Sequence, residues 1–324
     1  MRAGFCLVRC FGAAVLALLL CGSALAQGYP TRPVRIIVPF PPGGGFDGIA
    51  RPFAEKLTGI LGQPAILENR PGAGGNIGLE AAKNAPADGY TLLVANEILS
   101  TNPSLYKAVP YDPVRDFAPI SKLGTVPIAI AVNPTVPAKN PKELIALSKT
   151  KALNYGTPGV GTGPHLFGEA LSLSGVMQLV HIPYKGSGLA ITDAIGGQIE
   201  LGVASVAAVG PHVKSGKLRA IAVTGDKRSH TMPDVPALSE QGYKGFSALA
   251  WWGIFAPAGT PKPILDKFHA ELVKALNQPD LRKTLTETLG MDLAVSSPED
   301  LQKFLLAEMA RWGKVVRDNG IKPD

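Results

Sequence analysis

Few residues in this chain have the types and spacing that bond-breaking chemistry needs. The three cysteines, Cys6, Cys10 and Cys21, all fall in the first 26 residues. Beyond that stretch no thiolate nucleophile, disulfide or cysteine metal site is available. The five histidines, His165, His181, His212, His230 and His269, never stand four residues apart, and no H-E-x-x-H occurs. A histidine zinc site is therefore not expected. Ser104-Leu105-Tyr106-Lys107 matches S-x-x-K, but no S-D-N or K-T-G accompanies it and no G-x-S-x-G exists. The pair reads as a solvated loop or helix start. Neither a nucleophile with its base nor an acid–base pair emerges, and no metal or organic cofactor is expected.

What the sequence does supply is bare backbone. Glycine-rich corners occur at 41–48, 70–76 and 156–164, each between a β-rich run and a helical pattern. Such a corner leaves the first N–H groups of a helix unpaired and aims its dipole at one point, which suits an anion. Gly43-Gly44-Gly45-Phe46-Asp47-Gly48 also spells G-x-G-x-x-G, with Glu68 20 residues beyond, as a dinucleotide site would require. Pro41 and Pro42 argue against it, because they stiffen the turn that the first glycine should make tight. Asp47 at a helix start reads first as a cap for free N–H groups and second as an acceptor for a ligand ammonium. Phe46 is expected to be exposed on its loop and to floor a pocket. His165 opens the helix after the third corner, either satisfying loop carbonyls or meeting a ligand. His181, in an apolar strand, reads as a core histidine.

The elements that must position these corners alternate. Strand-like runs at 36–38, 64–68, 91–96 and 126–132 are interleaved with helical spacing at 49–57 and 77–83. A second cycle follows: helix 141–148, strand 153–155, helix 165–173, strand 179–184, helix 190–195, then strands at 199–204, 218–224 and 250–256. Three amphipathic helices, near 263–276, 279–288 and 298–319, complete the chain. Pro52 requires the first helix to start late, near Ile49. Trp251 and Trp252 lie on one strand and so face opposite sides, one toward a core and one toward a cleft or hinge. This alternation predicts an α/β fold of two lobes. Ligands of open α/β sheets sit at the carboxyl ends of the strands, so two such lobes would face each other across a cleft.

Arg2 and Arg9 precede an apolar stretch, 11–20, and Ala24-Leu25-Ala26. This pattern predicts a secretory leader cleaved after Ala26 and hence a periplasmic protein. Leu20 before Cys21 is too large for a lipoprotein site. Without Arg2 and Arg9 the formal charge falls from +7 to +5, spread with no Lys/Arg run, so nucleic acid is not an expected partner. No later apolar run approaches the ~20 residues that span a bilayer.

The series Val38-Pro39-Phe40-Pro41-Pro42-Gly43-Gly44, with Asp47 and Arg51, resembles the Bug proteins. These are extracytoplasmic solute receptors of tripartite tricarboxylate transporters. Further stretches match in order: Glu68-Asn69-Arg70-Pro71-Gly72-Ala73-Gly74-Gly75, Asp88-Gly89-Tyr90, Tyr155-Gly156-Thr157, Pro183-Tyr184-Lys185-Gly186, Pro233-Asp234-Val235-Pro236 and Ala256-Pro257-Ala258-Gly259-Thr260-Pro261. The resemblance implies a periplasmic binding protein of the two-crossing type. Domain 1 would comprise residues 27–125 plus 248–324 and domain 2 residues 126–247, with 128–132 and 250–256 as crossing strands. It implies a small carboxylate held by the first corner, Pro41, Pro42, Gly43, Gly44, Gly45, Phe46 and Asp47, together with Phe40. From the second lobe it implies Thr157, Gly159, Gly161, Thr162 and His165, with Lys185 and Ser205 completing the set. Thr157 stands where the family usually has serine and keeps the hydroxyl, and Pro158 stiffens that loop. Asn96 and Glu97 occupy a place where the family often has small polar residues facing the pocket. The implied function is capture of a carboxylate by closure of a monomer and transient delivery to membrane subunits, with no reaction catalysed. A receptor feeding a sensor pathway and an exported hydrolase are the competing readings.

Overall fold

The computed structural model of the chain describes residues 28–243, 245–246 and 248–323. The expected leader and its cleavage site after Ala26 lie outside the described residues. Two βαβαβ units carry the architecture. The first runs β1 (Val34–Val38), α1 (Gly45–Leu61), β2 (Ala65–Asn69), α2 (Asn76–Lys83), β3 (Thr91–Ala95), then α3 (Ile98–Leu105). The long β4 (Phe117–Val132) and α4 (Pro141–Thr150) lead to the second unit. That unit runs β5 (Leu153–Thr157), α5 (Gly163–Leu173), β6 (Leu179–Pro183), α6 (Ser187–Ile195), β7 (Leu201–Ser205), then α7 (Val206–Lys214). β8 (Arg219–Val223) and β9 (Leu249–Pro257) follow. α8 (Lys262–Leu276), α9 (Pro279–Lys283), the short β10 (Asp292–Leu293) and α10 (Pro298–Asn319) end the chain.

In both units the first strand lies between the other two, all parallel: β1 pairs with β2 and β3, and β5 with β6 and β7. Parallel strands are covered by helices on both faces and read as continuous apolar runs. Val34, Ile36, Ile37 and Val38 of β1 are accordingly buried. Each unit then meets an antiparallel strand, β9 beside β3 and β4 beside β7. β4 serves both lobes. Residues 117–127 pair with β9, and 128–132 pair with β7 and β8.

Several elements differ from the sequence expectation. β4 starts nine residues earlier than predicted, because two register shifts, at Pro119/Ser121 and Lys122/Gly124, let an irregular sequence stay in the ladder. The crossings lie between Pro127 and Ile128 and just before β9, while β9 itself belongs wholly to the first lobe. Thr224 ties the two crossings together. Its N–H donates to the Ile128 carbonyl (2.8 Å), its hydroxyl accepts from Ile128 N–H (2.9 Å) and donates to the Ala248 carbonyl. α1 starts at Gly45, not near Ile49, and carries Pro52 inside. The carbonyl that Pro52 leaves unpaired within the helix belongs to Gly48. α3 and α7 were not predicted. Each contains a proline, Pro103 and Pro211, that hides its helical pattern.

Candidate functional site

Between the lobes lies a small cavity of about 40 Å³. It sits at the carboxyl ends of the strands, and five helices begin at its wall. The residues preceding α1, α3, α5, α6 and α7 are Gly44, Glu97, Thr162, Gly186 and Ser205, and all five line the cavity. None of the five makes a side-chain cap to its own helix. Away from the cavity, α4 and α10 are capped, by Asn140 accepting from Glu143 N–H and by Ser297 accepting from Asp300 N–H, while α2, α8 and α9 are also without a side-chain cap. Each helix start carries roughly half a positive charge. Their convergence makes the cavity positive, yet no lysine, arginine or histidine lines it.

Phe40 and Phe46 form an aromatic wall with Trp252. Phe46 stacks on Trp252 with centroids 5.5 Å apart and planes at 25°, and tilts against Phe40 at 5.0 Å. The expectation that Phe46 is exposed is corrected: it is 8 % exposed, because α1 starts early enough to draw it into the first turn. Trp251, on the opposite face of β9, packs edge-on against Phe304 at 5.3 Å in the core. Trp252 Nε1 is buried without a hydrogen-bond partner among the described residues.

The remaining predicted residues are divided between wall and support. Pro41, Asn96, Glu97, Thr162 and Ser205 join Phe40, Gly44 and Phe46 on the cavity wall. Asp47, 3 % exposed, is turned away from it. Its carboxylate takes Arg51 (2.9 Å), Gly43 N–H (3.1 Å) and Asn69 Nδ2 (3.2 Å), so it holds the loop from behind rather than capping α1 or lining the cavity. Asn69 Nδ2 also donates to the Phe40 carbonyl at 2.8 Å. Pro42 and Gly43 shape the turn without lining the cavity, and Gly43 holds φ +80° as glycine allows. Gly45 lies where the lobes touch. Its N–H donates to Ser187 Oγ across the cleft (3.0 Å), and a Cβ on it would stand 2.6 Å from Ser205 Oγ and 2.8 Å from Ala208 Cβ.

On the second lobe, Thr157 and His165 form the backing of the loop. The Thr157 hydroxyl pairs with His181 Nε2 (2.7 Å), and His165 Nδ1 accepts from Gly161 N–H (3.2 Å), its ring 4.2 Å from that of His181. Burial, reinforced by His181, pushes His165 down to about 3, so it is neutral. Thr162 turns its hydroxyl to the Gly159 carbonyl at 2.6 Å. Gly159 and Lys185 line a neighbouring cavity between the lobes instead. Sequence reasoning missed Ser187, Gly186, Pro164 and Ala250 on the wall. The Lys185-Gly186-Ser187 turn before a helix was the available signal.

Two further bonds join the lobes. Thr101 Oγ1 donates to the Gly161 carbonyl (2.6 Å), and Gly163 N–H donates to Glu97 Oε1 (2.9 Å). Glu97 is 2 % exposed, and its Oε2 has no partner among the described residues. Burial pushes its carboxyl up to about 7, against the pull of the Gly163 N–H. Among the described residues no cluster of three or more metal-ligating side chains occurs, and no helix is long and apolar enough to cross a membrane.

Comparison with known proteins agrees with this geometry. BugT of Bordetella pertussis is 36 % identical over 304 residues, covering 92 % of each chain. The structure of the periplasmic binding protein BugD superposes with a TM-score of 0.88 at 37 % identity, covering 91 % of this chain and all of that one. The structure of Rpa4515 of R. palustris with adipate superposes with a TM-score of 0.87 at 32 % identity, again covering 91 % of this chain and all of that one. The family described as "Tripartite tricarboxylate transporter family receptor" matches residues 49–321. The chain belongs to this family of receptors, and its fold is that of their periplasmic binding proteins.

Proposed function

We propose that the protein is a periplasmic solute receptor that captures a small carboxylate by closure of its two lobes and hands it to membrane transporter subunits. The observation that carries this reading is the convergence of five helix starts, none capped by the residue that precedes it, on one cavity without a basic side chain. A carboxylate there gains charge-assisted hydrogen bonds from backbone N–H groups. Donors come from both lobes, so the ligand favours the closed state, and that difference in affinity drives closure. The adipate of the R. palustris relative supports a carboxylate of this size class.

The finer parts of the reading are a leader cleaved after Ala26, lobes at 27–125 plus 248–324 and 126–247, a monomer, and transient contact with the membrane subunits. The ligand leaves chemically unchanged. A thermal-shift screen of mono-, di- and tricarboxylates, amino acids and aromatic acids tests the central part. A ligand at 100 times its dissociation constant adds about 2.7 kcal/mol of stability. No shift with any acid contradicts the reading, as does recovery of a cleaved ligand.

A further inference from the structure

Glu97 is an unexpected residue in an anion-holding cavity. It sits on the wall and precedes α3, with Oε1 engaged by the Gly163 N–H of the opposite lobe and Oε2 buried without a partner. Resting on the carboxylate reading above, we propose that Glu97 takes up a proton when the cavity fills. The ligand carboxylate is then bound together with one proton held on Glu97 Oε2.

Two carboxylates sharing a small, water-poor site do not both stay ionised. The five helix starts favour charge on the ligand, leaving Glu97 as the group that neutralises. The proton belongs on Oε2, because Oε1 already accepts a hydrogen bond. Once protonated, Oε2 is a donor, and the ligand oxygen is the acceptor that the protein does not provide. The proton comes from bulk solvent, and no covalent bond of the ligand changes.

The neighbours pull both ways. Burial brings Glu97 up to about 7 against the backbone N–H groups of Gly163, Glu97 itself and Trp251, which lower it, while Glu308 of α10, a like charge paired with Arg311, adds a smaller push upward. α5 carries His165, which burial keeps neutral, and Glu169, which accepts from the Tyr155 hydroxyl. β9 contributes Trp251 and Trp252, which do not titrate. On α1, Asp47 is engaged with Arg51. Among the described residues no cation lines the cavity to hold Glu97 ionised. The bound state thus raises the Glu97 pKa above its free value. Affinity is full below that free value, and as pH rises past it affinity falls, by up to about tenfold per unit.

Isothermal titration of the intact protein at pH 8, with adipate, malate and aspartate as probes in phosphate, HEPES and Tris, measures the proton count. The slope of apparent enthalpy against buffer ionisation enthalpy is expected to report close to one proton taken up per bound acid. In Glu97→Gln, whose amide supplies a permanent donor, binding is expected to persist with a slope near zero and a flat pH profile. The wild-type 13C signal of the Glu97 carboxyl, which needs no variant, is expected to move to the neutral-acid position on saturation. A wild-type slope of zero overturns the proposal. Proton release does so too, and points to a ligand ammonium facing an ionised Glu97. Thermal-shift silence toward every acid overturns the carboxylate reading and this proposal with it, whereas binding without proton uptake overturns this proposal alone.

Discussion

The turn after β2 and the turn after β6 occupy equivalent places in the two lobes, yet they do opposite things. The first, Gly72-Ala73-Gly74-Gly75, is rich in glycine, and all four residues hold positive φ. Its conformation serves packing. A Cβ on Gly74 would stand 2.3 Å from the Tyr106 hydroxyl, and one on Gly75 would stand 2.2 Å from Ile98 Cδ1. Its polar groups are taken by its own lobe: Asn102 Nδ2 donates to the Gly74 carbonyl (3.0 Å) and to Asn76 Oδ1 (2.8 Å), which also accepts from Tyr111 (2.7 Å). The second turn, Lys185-Gly186-Ser187, has a single glycine. Its Gly186 and Ser187 line the cavity, whereas Lys185 and the four residues of the first turn border the neighbouring one, and it sends Ser187 across to Gly45. Glycine content therefore reports backbone shape. Whether a helix start receives an anion depends on what the neighbouring side chains already occupy.

Substitutions on the two kinds of turn separate these roles. Gly45→Ala places a methyl against Ser205 and Ala208 of the other lobe, a clash present only when the lobes meet. Calorimetry is expected to show a dissociation constant raised by about 100-fold, with the unliganded midpoint shifted little. An unchanged affinity would erase the distinction drawn between the turns. Glu97→Gln addresses the cost of burying an acid on the wall. Its pKa is raised on folding, from about 4.5 to about 7, so its contribution is most favourable below the unfolded value. That contribution is lost as pH rises to the folded value. The variant is expected to be more stable than wild type at pH 8 by roughly 2–3 kcal/mol, with the gap closing by pH 4, as measured by urea unfolding. Gly75→Ala, in the packed turn, is expected to cost about 2 kcal/mol of stability while leaving affinity for any identified ligand within about twofold. Ser187→Ala removes one bond between the lobes and is expected to weaken binding by about fivefold, near 1 kcal/mol. A larger effect on stability than on affinity would place Ser187 in the support rather than on the wall.

Much of this division is local, and that part was legible in the sequence. Buried parallel strands announce themselves as short apolar runs, and the glycine corner at Gly43–Gly45 and the turn at Thr162 mark where two of the helices begin. α3 and α7 escaped because Pro103 and Pro211 interrupt them, although each follows the third strand of its unit. The family resemblance puts Asp47 and His165 in the ligand site, whereas their own chemistry reads Asp47 first as a cap and leaves His165 open. The distinction between facing the cavity and bracing it from behind is set by Arg51, Asn69 and His181. Ser187 was illegible for the plainest reason: its partner lies 142 residues away, and only the meeting of the lobes gives its hydroxyl a role.

The account stands on a cavity that holds a carboxylate with backbone and no basic side chain. The most direct test compares, by titration calorimetry, C3 to C6 dicarboxylates with their uncharged diamides of the same shape. The account predicts that at least one acid binds and that its diamide binds about 100-fold more weakly, because an uncharged group forfeits the charge-assisted bonds to the helix starts. Equal affinity of acid and diamide, or no binding by any acid, would contradict it.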